Sequence, residues 1–339
     1  LTAVDDLLYF TVHDDEGTAL WRTDGTDSGT VRLTGNLHLE ESLVAADGLV
    51  YFEFHDYESN KQYLGRSDGT PVGTFPVMEI YEYDPMNGEY LFCQSGRRAT
   101  ASGSSLYFAY ATLDEGCELW VSDGMATGTR LVRDIRAGSA SSHVAPLAAV
   151  NNRMLLRVVM YEIEDIDLSG DDTELWVTDG SAAGTKLLLN INRMPLSSNP
   201  STFTYFNNKL YFAADDGVHG SELWSSDGSE IGTKIVADLR TVWGGSSPGP
   251  IAVSGNVLVF TASATSQQEL YSSDGTEAGT HVINSLTEGT DYALVKQMVE
   301  WNDYVFFTVK IYPDEVYEFW RTDGSAAGTM RLGDFYVPR

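Results

Sequence analysis

Three features of this 339-residue sequence predict an all-β chain. The phrase (S/T)-D-G-x-x-x-G-T recurs seven times, an aromatic run of alternating residues precedes each copy, and no window of a dozen residues carries a 3.6-residue period. Each repeat offers four short strands, a to d, rich in Val, Phe, Tyr and Leu and separated by Gly, Asn and Asp. Such a unit cannot bury both faces alone, whereas units stacked radially cover one another. The prediction is a seven-bladed β-propeller with four antiparallel strands per blade, closed as a single ring. A linear β-solenoid is the alternative, although its rungs are usually shorter.

The elements follow in order within each repeat. Strand a is a short apolar segment closed by a turn dipeptide, as in "LAAVNN" ending at 152 or "AVSGN" ending at 256. Strand b is the aromatic run: "LLYFTV" at 7, "LVYFEF" at 49, "SLYFAY" at 105, "KLYFAA" at 209, "VLVFTA" at 257 and "YVFFTV" at 304, with "MLLRVV" at 154 the irregular member. Strand c is the Glu-Leu-Trp segment, and strand d follows the Gly-Thr, as in "RLVRDI" at 130. Blades are expected at 1–34, 41–80, 99–136, 145–191, 202–240, 250–284 and 294–336 of one domain spanning 1–339. The chain starts Leu1-Thr-Ala-Val, without Met and without a basic or apolar leader, so it reads as a processed form or a piece of a longer protein.

Alternation along strand c sends Trp21, Trp120, Trp176, Trp224, Tyr271 and Trp320 to one face, where a large flat ring suits the wedge between sheets. In the second repeat Gly65 takes that position. The turn residues are Asp24, Asp68, Asp123, Asp179, Asp227, Asp274 and Asp323. Aspartate bonds the backbone ahead of it and glycine accepts positive φ, so the pair specifies a tight hairpin. Seven equivalent ligand sites are the competing reading. The turn persists in the second repeat although the packing residues around it have changed, which favours a structural role.

With 21 Lys and Arg against 49 Asp and Glu, the net charge of −28 excludes nucleic acid as a partner. No apolar stretch is long enough for a transmembrane helix. The acids concentrate in the b–c loops, at Asp14, Asp15 and Glu16, Asp56 and Glu58, Asp114 and Glu115, Asp215 and Asp216, and Asp314 and Glu315. The fourth such loop carries Asp165, Asp167, Ser169 and Asp171, which alternate like the first oxygens of a calcium loop. Its closing acidic ligand would fall at Trp176, so a full EF-hand fails and a looser calcium site is the expectation. His13 and His55, equivalent in the first two repeats and each followed by Asp, are a candidate transition-metal pair. Cys93 and Cys117 belong to neighbouring blades on one face and are a disulfide candidate, which favours an oxidising compartment.

The stretches "ELWVSDGMATGTRLVRDI" at 118 and "DDGVHGSELWSSDGSEIGTKIVADL" at 215 resemble the ELWxxDGT, hyalin-like repeats of bacterial surface and secreted proteins. That resemblance covers the whole chain and implies an extracellular or cell-surface β-propeller with a binding or scaffold role. It carries no catalytic residues. Recognition is then expected in the variable b–c and d–a loops, through protein or glycan contacts by aromatics such as Tyr57, Tyr83, Tyr161, Trp243 and Tyr312. The alternative is a secreted glycan-active or metal-dependent hydrolase with its site at the central channel. The sequence holds no G-x-S-x-G, HExxH, P-loop or CxxC signature.

Overall fold

The computed structural model describes the chain apart from residues 16, 36, 57–58, 60, 81–82, 85–88, 91–92, 94–98, 161–171, 193–196, 241–243, 265–266, 287–291, 313–315 and 336–339. Its strands form seven four-stranded antiparallel sheets, each in the chain order a–b–c–d. Sheet 1 comprises Thr2–Val4, Leu7–Asp14, Gly17–Thr23 and Val31–Arg32; sheet 2, His38–Ala46, Leu49–Asp56, Lys61–Ser67 and Phe75–Glu79. Sheet 3 comprises Thr100–Ser102, Ser105–Thr112, Gly116–Ser122 and Arg130–Arg133; sheet 4, Ala145–Val150, Arg153–Met160, Asp172–Thr178 and Lys186–Leu189. Sheet 5 comprises Ser201–Phe206, Lys209–Asp215, Ser221–Ser226 and Lys234–Ala237; sheet 6, Ile251–Ser254, Val257–Ala262, Glu269–Ser273 and His281–Asn284. Sheet 7 comprises Tyr292–Trp301, Tyr304–Tyr312, Val316–Thr322 and Met330–Phe335. A single 3₁₀ turn, Ala126–Gly128, is the one helical element among the described residues.

The a–b hairpins follow from their two-residue turns. Asn151 and Asn152, Asn207 and Asn208, and Asn302 and Asp303 all have positive φ. That backbone matches the right-handed twist of the flanking strands, and Asn and Asp tolerate it best after Gly. A second regularity lies in strand d. The c–d register shifts between Leu64 and Gly65, Leu119 and Trp120, Leu223 and Trp224, Leu270 and Tyr271, and Phe319 and Trp320. Each shift leaves one extra residue on strand d; in sheet 7 that residue is Leu332, which is exposed. In sheets 2, 3, 5 and 6 these residues are Val77, Val132, Val236 and Ile283, all buried.

The chain divides into two compact units, Leu1–Tyr161 with Trp176–Lys186, and Glu162–Leu175 with Leu187–Arg339. In the first, Tyr9, Leu20, Phe52 and Phe54 form one core cluster, Tyr51, Leu64, Leu106 and Phe108 a second, and Tyr107, Leu119, Met154 and Leu156 a third. In the second unit, Tyr211, Leu223, Phe260 and Tyr271 pack together, as do Val259, Leu270, Val305 and Phe307. Each cluster joins residues of two successive sheets. Full burial of one such side chain contributes about 1.5–3 kcal/mol, so cohesion is distributed along the repeats.

The strand-c rings enter these clusters from one side. Trp120 packs on the core of sheets 2 and 3, Trp176 on that of sheets 3 and 4, and Trp320 on that of sheets 6 and 7. Five of the rings also have an aromatic directly opposite on strand b, whereas strand b of sheet 4 holds none for Trp176. Phe10 faces Trp21, Phe108 faces Trp120, Phe212 faces Trp224, Phe260 faces Tyr271 and Phe307 faces Trp320. Sheet 2 departs from this, because Phe52 lies opposite Gly65 and a Cβ there would sit 2.7 Å from the Phe52 ring. The phenyl ring thus fills the place of the missing tryptophan.

Candidate functional site

The repeated phrase builds one hydrogen-bond network seven times. In sheet 1, Asp24 Oδ1 accepts the Thr26 N–H at 2.9 Å and the Thr26 hydroxyl at 2.7 Å, while Thr26 Oγ1 accepts the Gly29 N–H at 3.0 Å. Thr30 donates its hydroxyl to the Thr26 carbonyl at 2.7 Å. With that proton placed, Thr23 must donate to Thr30 Oγ1, 2.8 Å away, and it accepts the Gly25 N–H at 3.0 Å. Every hydroxyl proton has one acceptor. The same bonds recur around Asp68, Asp179, Asp227, Asp274 and Asp323. The third copy keeps the backbone bond from Met125 to Asp123 but has no hydroxyl to add the second.

Both glycines have a spatial cause. The first has φ between +82° and +90° in all seven copies, a conformation that side chains oppose. In five of them the preceding sheet also covers it, Gly324 through Val257 and the other four through a tyrosine. A Cβ on Gly69, Gly124, Gly180 or Gly275 would meet the hydroxyl of Tyr9, Tyr51, Tyr107 or Tyr211 at 2.1–2.9 Å. The second glycine lies beneath its own aspartate, and a Cβ on Gly184 would stand 2.0 Å from Asp179 Oδ1. Hydrogen bonds from Thr or Ser to the carboxylates hold Asp24, Asp68, Asp179, Asp227, Asp274 and Asp323 below the usual carboxylate range. Burial raises the covering tyrosines, with Tyr51 pushed up to about 12.

A second network was not anticipated from the sequence. Glu118, the first residue of its Glu-Leu-Trp, is fully buried and receives four donors from the connection leading out of sheet 3. These are the N–H groups of Ile135 at 3.0 Å, Arg136 at 3.3 Å and Ser142 at 3.1 Å, and the Ser142 hydroxyl at 2.8 Å. Glu174 binds Ser198 the same way, and Glu222 binds Leu239, Arg240 and Ser246. In all three the glutamate and serine are 24 residues apart. That constant spacing was the available signal. Burial pushes the Glu118 carboxyl up to about 7 against the four donors, and burial raises Glu222 as well. Each clamp ties a variable d–a connection to a rigid strand.

The other expected residues fall in three groups. Cys93 and Cys117 form a disulfide with their Cα atoms 5.5 Å apart, tying the long connection after sheet 2 to strand c of sheet 3. Tyr312 ends strand b of sheet 7 with Lys310 Nζ 4.6 Å from its ring centroid; Lys310 also approaches Tyr317 at 5.6 Å. Tyr83 stands in a two-residue strand, Tyr83–Asp84, paired with Glu89–Tyr90, but its side chain lies outside the described residues. Tyr57, Tyr161, Trp243 and the calcium candidates Asp165, Asp167, Ser169 and Asp171 also lie outside them. Among the described residues no group of three or more His, Cys, Asp and Glu is placed to hold a metal. No helix among them is long and apolar enough to cross a membrane. In the described b–c loop of sheet 5, Asp216 caps the N–H groups of Val218 and His219 and bonds His219 Nδ1 at 2.7 Å. This acid is engaged within its own loop.

No protein-family model matches the chain, and no curated protein matches it. Solved structures do. Oligopeptidase B from Leishmania major is 11% identical at a TM-score of 0.51, over 96% of this chain and 47% of its own. A structure from a study of two prolyl endopeptidases is 12% identical at a TM-score of 0.50, over 100% of this chain and 50% of its own. The β-propeller domain of the Trilobed protease from Pyrococcus furiosus is 11% identical at a TM-score of 0.47, over 98% of this chain and 95% of its own. The chain spans about half the length of the first two proteins. At these identities the likeness concerns the fold alone, and together with seven repeated four-stranded antiparallel sheets it supports a β-propeller fold.

Proposed function

We propose that the chain is an extracellular binding or scaffold module, a seven-bladed ring that holds a protein or glycan through its b–c and d–a loops. The observation that carries this reading is the division of labour within each repeat. The Asp-Gly end is a closed hydrogen-bond network, nearly identical in seven copies. The opposite end is built from connections that differ in length and sequence and are anchored by buried Glu-Ser clamps and one disulfide. Variable loops on a rigid frame are where recognition concentrates. The disulfide supports an oxidising compartment. The net charge of −28 favours a basic partner surface, and the acidic loop at 165–171 is the place we assign to calcium.

A glycan array and a protein pull-down, each run with calcium and with chelator, test this function. Specific retention of a glycan or protein is expected. Failure of both screens under both conditions would remove the binding reading, and turnover of an array glycan would replace it with a hydrolase.

A further inference from the structure

Sheet 2 places two imidazoles opposite each other. His38 on strand a and His55 on strand b are direct partners in the antiparallel register. Partners of this kind have Cβ atoms about 4.5–5.5 Å apart and project from the same face of the sheet. The next pair, Leu39 with Phe54, projects from the other face into the core, where both side chains are buried. Burial of that pair pins the register, because a slip of one residue would expose it. The histidine pair is therefore held in place by the core beneath it. His38 is exposed and His55 half-buried, so the pair is open to ions. The ladder shifts between Leu39 and Leu43, leaving the pair at the edge of the regular hairpin.

From this register we infer that His38 and His55 form a two-imidazole chelate for a divalent transition-metal ion. Imidazole nitrogens bind such ions at about 2.0–2.1 Å, so two of them can share one ion across a strand pair, with water completing the shell. The net charge of −28 raises the local concentration of cations. Calcium is a poor occupant, since it takes oxygen ligands. The sequence alone pairs His55 with His13 by repeat position, but the register gives His55 a different neighbour. His13 lies opposite Thr18, whose hydroxyl is 3.0 Å from its Nδ1. The bound ion bridges strands a and b just ahead of the loop at 57–60.

Titration of the whole chain with Cu²⁺ alone, followed by calorimetry and visible absorption, tests the site. One ion is expected to bind with a nitrogen-ligand absorption band. Its affinity should fall roughly tenfold or more in His38→Gln and equally in His55→Gln, because each removes the chelate's effective concentration. His13→Gln and His219→Gln should leave it unchanged, and excess Ca²⁺ should not compete. Melting curves in EDTA check that the variants fold. On the unmutated chain, Cu²⁺ should shield His38 and His55, and no other histidine, from diethyl pyrocarbonate. Affinity that survives either substitution, or that falls equally with His13→Gln, would leave adventitious surface binding and overturn the site. Because Ca²⁺ and the loop at 165–171 take no part, this outcome is independent of the partner screens.

Discussion

Gly184 shows how tightly the repeat is specified at the level of single atoms. Its φ lies outside the left-handed region, so the backbone would accept a side chain. The obstacle is the Asp179 carboxylate, 2.0 Å from where a Cβ would stand. Gly184→Ala should therefore cost about 1–3 kcal/mol by forcing the carboxylate off its turn. In an Asp179→Ala background the same change should cost much less. Urea unfolding of the four proteins measures the coupling, and equal costs in both backgrounds would refute the contact. Glu118 makes a different demand. Each of its oxygens faces an N–H donor, so the amide of Glu118→Gln must turn its NH₂ toward one of them. A loss of about 1–3 kcal/mol is expected in the same assay.

At the scale of the element, the sequence was legible wherever the signal is local. Strand periodicity, turn dipeptides and the fixed Asp-Gly to Gly-Thr spacing lie within a dozen residues, and the strands stand where those signals fall. The Glu-Ser clamp was illegible because its halves are 24 residues apart and belong to different segments. The inward residue of strand d was missed for a related reason, since a bulge depends on the partner strand's register. Legibility of the candidate site was lower still. Tyr57, Tyr161 and Trp243 stand in variable loops, and no local period governs such loops. The disulfide acts at this scale too. Replacing Cys93 and Cys117 by serine frees a segment spanning 24 residues and should destabilise the first unit by about 2–4 kcal/mol. A melting temperature unchanged by the double substitution would contradict this.

Over the whole molecule, two sets of carboxylates set the pH response with opposite signs. The turn aspartates have folded values below their ordinary 3.8, so their stabilisation is present above that value and lost as pH falls through the folded values. Glu118 has a folded value of about 7, above its ordinary 4.5. The native state therefore binds the extra proton between these limits, and stability declines as pH rises from 4.5 through about 7. Rising pH also adds negative charge to a chain already at −28. Maximum thermal stability is expected on the acid side of neutrality, between the two windows, with a rise in melting temperature on adding salt at pH 8. A melting profile that climbs steadily from pH 5 to 8 would be incompatible with this assignment.

Under the proposed function, the repeats hold the frame and the non-repeating loops do the binding. Once the array or pull-down yields a ligand, its affinity should be compared in two variants. One replaces 161–171 and 241–243 by short Gly-Ser linkers; the other carries Ser325→Ala on the seventh Asp-Gly turn, which removes two hydrogen bonds of the network. Lost binding is expected in the first, despite unchanged circular dichroism, and full binding in the second. Retained binding in the loop variant together with loss in the turn variant would contradict it, and would make the repeated phrase itself the ligand site.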